Sequence, residues 1–129
     1  MENIMENNKL IAEFMGYEIQ KDPTERFFGR YKSPIGVWHK EIDLSFHHDW
    51  NWLMEVVKKI EKTTIRETHG QFNENECEAT ISISIENTFC QILSNGAFLN
   101  EIISINGESK IEAVYSACVE FVKWYNENK

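Results

Sequence analysis

The sequence is poor in residues that stiffen or cross-link a chain. Two of its 129 residues are proline and six are glycine, which excludes a collagen-like repeat and a proline-rich disordered tract. Its three cysteines, Cys77, Cys90 and Cys118, are odd in number, far apart and without a C-x-x-C pair. That pattern argues against a disulfide framework and points to reduced thiols in a cytoplasm. Bases are scarce: 13 Lys and Arg against 21 Asp and Glu leave a net charge of -8. A binder of duplex nucleic acid or anionic membrane needs a broad basic face, so both classes are disfavoured. No apolar run approaches the roughly 18 residues that suggest a membrane span. The start, Met1-Glu2-Asn3-Ile4-Met5-Glu6, has neither the basic nor the apolar region of a signal peptide. A cytoplasmic protein is the expectation. G-x-S-x-G, the phosphate-binding G-x-x-x-x-G-K-S/T and H-E-x-x-H are also missing, so no catalytic motif points to an enzyme.

What is present is an ordinary globular balance, 42% hydrophobic and 26% charged, over a length that suits one domain spanning 1–129. Three segments have helical period. Leu10, Ile11, Phe14 and Met15 share a face, with Asn7 or Asn8 as cap and Gly16 as terminator. From Asp49, a good N-cap, to Lys62, the residues Leu53, Val56, Val57 and Ile60 make a core-facing stripe. Between Ser109 and Asn126, Ser109-Lys110-Ile111-Glu112 fits a capping box. Ile111, Val114, Tyr115, Cys118, Val122 and Tyr125 form one stripe, and Ala113, Ala117, Phe121 and Trp124 widen it. Elsewhere the period is two. Ala79, Ile81, Ile83 and Ile85 alternate with polar residues, Asn87-Thr88 turns the chain into a strand near 89–93, and Asn95-Gly96 leads to a third within 98–105. Upstream, strands at 26–32 and 37–44 flank a Ser33-Pro34-Ile35-Gly36 hairpin. His69-Gly70 reads as a turn, and Asn73-Glu74-Asn75-Glu76 as an acidic surface loop. The order α-ββ-α-βββ-α predicts an α+β fold: about five strands in an antiparallel or mixed sheet, with three helices packed on it.

The runs Asn8–Gly16, His48–Glu61 and Lys110–Glu127 resemble the first, middle and last helices of the phage ABA-sandwich family, small proteins of Bacteroidota phages and prophages. The likeness covers the three helices, and the strands carry no signature. It implies an α/β/α sandwich made in an infected bacterium. It transfers no catalytic residue, and a fold alone does not give a function.

Two stretches carry candidate chemistry. Arg26-Phe27-Phe28-Gly29-Arg30-Tyr31-Lys32 is basic and aromatic in an acidic chain. As a strand it would set Arg26, Phe28, Arg30 and Lys32 on one face and Phe27, Gly29 and Tyr31 on the other, with Trp38, His39 and Lys40 across the hairpin. Arginine grips phosphate oxygens with two prongs, and aromatic rings stack on bases. The patch is too small for duplex DNA. The second stretch, Phe46-His47-His48-Asp49-Trp50-Asn51-Trp52, reads first as a helix start capped by Asp49. It also offers His48 and Trp50 to an anionic or planar ligand at the helix N-terminus. A zinc site on His39, His47, His48 and Asp49 lacks the usual ligand spacing. No metal and no cofactor is therefore assigned. The leading expectation is a phage accessory protein that sequesters a small nucleotide immune signal without turning it over, through Arg26, Phe28, Arg30, Tyr31, Trp38, His39, Lys40, His48 and Trp50. A homo-oligomer touching through Phe121 and Trp124 would help enclose the ligand. The alternatives are an acidic inhibitor of a host protein and an enzyme cleaving a cyclic nucleotide with His39 or His48.

Overall fold

The computed structural model describes residues 3–68, 76–95 and 99–128. In chain order the elements are α1 (Ile4–Phe14), β1 (Glu18–Ile19), β2 (Tyr31–Lys32), β3 (Trp38–His39), a single 3-10 turn (Glu41–Asp43), α2 (Trp50–Lys62), β4 (Thr64–Thr68), β5 (Glu76–Glu86), β6 (Phe89–Asn95), β7 (Leu99–Asn106) and α3 (Lys110–Asn128). The chain is α+β, with three α-helices among the described residues, as the periodicities predict. The single sheet of about five strands is not what forms. β1-β2-β3 make one small antiparallel sheet and β4-β5-β6-β7 a larger one. Two of these strands, β1 and β4, have no counterpart in the sequence reading. β1 is two residues long, and β4 (TIRET) has a single large apolar residue to set a period.

The helices begin where free N–H groups find acceptors. The Asn3 side chain accepts from the amides of Met5 and Glu6, so α1 starts a turn before the expected caps, and Asn7 and Asn8 are buried instead. Asp49 accepts from Asn51 N at 2.8 Å, and Ser109 accepts from Glu112 N at 3.2 Å. Gly16, with φ +88°, follows the end of α1 in the left-handed region, as its place after an apolar stripe suggests.

In the larger sheet, register puts Ile81 opposite Ser94, Ile83 opposite Ile92, and Cys90 opposite Ile105. These share one face, packed against α2 and α3. On the other face Thr80 and Ser84 are exposed. Both helices thus cover the same side of this sheet, and the expected sandwich, with helices on two sides, is replaced by one-sided packing. The third helix explains why one side suffices. Ala113, Val114, Ala117, Cys118, Val119, Phe121 and Val122 are all fully buried, so α3 meets the sheet on one flank and α1 and α2 on the other. Phe121, expected at a subunit contact, is used up inside the chain, stacked on Tyr125 and edge-on to Phe14. Trp124 is half-buried against the same core. The residues His69-Gly70, 73–75 and Gly96, read above as turns and loop, lie outside the described residues, whereas Glu76 already belongs to β5.

Candidate functional site

The small sheet is a hairpin with a third short strand at its side. Ser33 closes the hairpin: its amide donates to Val37 O at 2.8 Å, its hydroxyl accepts from Val37 N at 3.1 Å, and its carbonyl accepts from Gly36 N at 2.9 Å. Gly36, at φ +89°, supplies the turn. The hairpin expected at Ser33-Pro34-Ile35-Gly36 is therefore present, but its arms are two residues each.

The residues expected to form the first long strand of that hairpin fold differently. Between 20 and 30 the chain makes successive turns. Asp22 accepts from the Thr24 amide and hydroxyl, which holds its carboxyl below the usual carboxylate range. Gln20 N donates to Arg30 O, and Gly29 N donates to Gln20 O, closing the base of the excursion. Gly29 has φ +79°, which a β-strand does not allow. Strict alternation is lost, and the face of Arg26, Phe28, Arg30 and Lys32 does not exist as drawn. Phe28 projects outward, 53% exposed.

A different grouping replaces it. Phe27 stacks on Trp38, with ring centroids 5.0 Å apart and planes 24° from parallel. The Arg26 and Arg30 guanidinium carbons lie 5.4 and 5.5 Å from the Phe27 centroid. Lys32 Nζ lies 6.0 Å from the Trp38 centroid. Cations are drawn to the negative ring faces, so the aromatic pair organises them. Among the described residues, no carboxylate lies within ion-pair distance of Arg26, Arg30 or Lys32. Phe27, read as facing away, is the centre of the patch. The motif Phe-Phe-Gly-Arg held the signal, since the glycine breaks the alternation that placed Phe27 elsewhere.

The hairpin divides the remaining candidates. Lys32 pairs with Trp38 and Tyr31 with His39, on opposite faces. Tyr31 is buried, and burial raises its hydroxyl pKa. His39 packs against Tyr17 at 6.1 Å and Trp52 at 5.1 Å, and Phe46 joins both rings. These are core contacts of the small sheet. Lys40 is exposed ahead of the 3-10 turn, His48 is exposed beside His47, and Trp50 opens α2 at 39% exposure. None of the described contacts joins these three to the Phe27–Trp38 pair. Of the nine sequence candidates, the structure gathers Arg26, Arg30 and Trp38.

The structure adds a polar cluster that the sequence does not reveal. Asn8, 2% exposed, donates from Nδ2 to Leu44 O at 3.0 Å and lies 3.0 Å from His47 Nδ1, while its Oδ1 accepts from the Tyr115 hydroxyl at 2.9 Å. Among the described residues, no three His, Cys, Asp or Glu side chains gather as a metal cage. Cys90 and Cys118 are buried free thiols; burial raises Cys90 to about 11 and Cys118 further still, so both stay protonated. Among the described residues, no helix is long and apolar enough to cross a membrane. No family model, curated protein or solved structure matches the chain.

Proposed function

We propose that this is a small binding protein that captures a phosphate-bearing nucleotide on the Phe27–Trp38 patch and acts by sequestration. The observation that carries this reading is three cations that have no carboxylate partner among the described residues, held around one stacked aromatic pair. A nucleotide offers negative oxygens for Arg26, Arg30 and Lys32, and a planar base to lie against the half-buried Phe27–Trp38 pair. Local charge agrees. Residues 20–40 hold five bases (Lys21, Arg26, Arg30, Lys32, Lys40) and two acids (Asp22, Glu25) in a chain of net charge -8. The biological setting we propose is that of a phage accessory protein that withholds a nucleotide immune signal from its receptor.

The test is a melting-temperature screen with cyclic dinucleotides and ADP-ribose, followed by denaturation and chromatography of the recovered nucleotide. A ligand at a hundredfold excess over its Kd adds about 2.7 kcal/mol, a shift on the order of 10 °C at this size. The expected result is a shift with intact nucleotide recovered, abolished in Arg30→Ala and Lys32→Ala while the free variants melt within a few degrees of the parent. A shortened nucleotide would replace sequestration by cleavage. No shift across the panel, or an equal shift in the variants, would overturn the patch as the site and turn attention to a protein partner.

A further inference from the structure

The Asn8 cluster fixes the protonation state of His47 by elimination. The Leu44 carbonyl only accepts, so the Asn8 amide nitrogen must be the atom that faces it. Asn8 Oδ1 then faces Tyr115, whose hydroxyl donates to it. The second Nδ2 hydrogen points at His47 Nδ1, 3.0 Å away. That nitrogen must accept, so the ring is neutral with its hydrogen on Nε2. A proton arriving at Nδ1 would set donor against donor. One amide thus ties together α1, α3 and the segment between the 3-10 turn and α2.

We propose that Asn8, His47 and Tyr115 form an acid-opened latch: protonation of His47 releases residues 44–49 from α1 and α3. The surroundings disfavour the charged ring. Partial burial is the larger cause of a lowered His47 pKa, and His48, 4.4 Å away, adds to it. The other groups at this junction do not offset them. α1 presents the neutral Asn8 to the ring, and its next residue, Lys9, is committed to Glu41 at 3.0 Å and Glu6 at 3.3 Å. α3 presents the Tyr115 hydroxyl, with the rings 6.1 Å apart. Asp49 accepts from Asn51 N as the α2 cap. The sign follows from a folded value below the unfolded one. The latch contributes fully above the unfolded value near pH 6.5, and its contribution is lost as pH falls from there through the folded value.

The experiment is amide hydrogen exchange on the full chain between pH 7.5 and 5, corrected for the intrinsic rate, read at His48 and Asp49, whose amides donate to Ser45 O. The expected result is at least a tenfold loss of protection on acidification, with a midpoint below 6.5. His47→Asn puts a non-titrating acceptor near the Nδ1 position and should keep these amides protected at both ends of the range. His47→Ala should leave them unprotected throughout. If that variant does not fold, the comparison of His47→Asn with the parent decides alone. His48→Asn should retain the acid response. An acid response that persists in His47→Asn, one that vanishes in His48→Asn, or a parent protein without any response would each overturn the latch.

Discussion

A buried amide is tolerated only when its donors and acceptor are all engaged, and Asn8 meets that condition with partners from two other parts of the chain. Truncation to Asn8→Ala would take the donor from the Leu44 carbonyl and from His47 Nδ1 and one acceptor from the Tyr115 hydroxyl, at a cost of about 2–3 kcal/mol. Tyr115→Phe, which removes the donor to Asn8 Oδ1 and leaves the Leu44 and His47 contacts in place, should cost about 1 kcal/mol. Urea unfolding of the two variants measures the difference, and equal losses would contradict the network. No local pattern advertises such a site. The Asn8 partners lie 36, 39 and 107 residues away in sequence, and a lone asparagine in a helical stripe reads equally well as a cap. The same limit applies to Phe27. Its importance depends on Trp38 arriving across a turn, whereas the basic and aromatic character of 26–32 was plain from composition alone.

Elements long enough to repeat a period were legible, and short ones were not. The stripe of α2 and the broad apolar surface of α3 span three or more turns, so burial leaves a clear imprint. Strand β5 runs 11 residues and alternates in the same way. The strands of the small sheet are two residues each, shorter than one alternation, and they are set by turns and by aromatic packing from Tyr17, Phe46 and Trp52. One junction of elements is unusually tight. A Cβ at Gly107 would lie 2.7 Å from the Ala113 amide nitrogen, and the Gly107 amide donates to Thr88 O at 2.9 Å. Gly107→Ala must therefore push α3 away from the β5–β6 turn. The expected loss is about 1–3 kcal/mol, read as a lowered thermal midpoint; an unchanged midpoint would mean that α3 yields without strain.

At the scale of the molecule, charge and packing are both lopsided. The positive segment 20–40 sits in a chain whose remaining residues are strongly acidic, so the nucleotide capture proposed for the Phe27–Trp38 patch should weaken steeply with salt. Raising ionic strength from 0.05 to 0.5 M should weaken nucleotide binding about tenfold or more, as titration calorimetry would show; an unchanged Kd would point to stacking alone. The resemblance to a sandwich family led to helices on two sides, but the three helices share one core with a single face of the larger sheet. The sequence contained the reason in part: Thr80, Ser82 and Ser84 alternate with apolar residues, which a sheet buried on both faces does not do.

The packing of α1 on α3 also sets a timetable for biogenesis. The Asn8–Tyr115 bond closes a span of 107 residues, and the fully buried Ile11 and Ala12 belong to the core that α3 completes. At about 5–20 residues per second, a ribosome needs several seconds to reach α3 after making α1. Through that interval the nascent helix carries a bare apolar stripe, a footprint for chaperones. Chains that stall before Lys110 would keep that stripe exposed and be open to degradation.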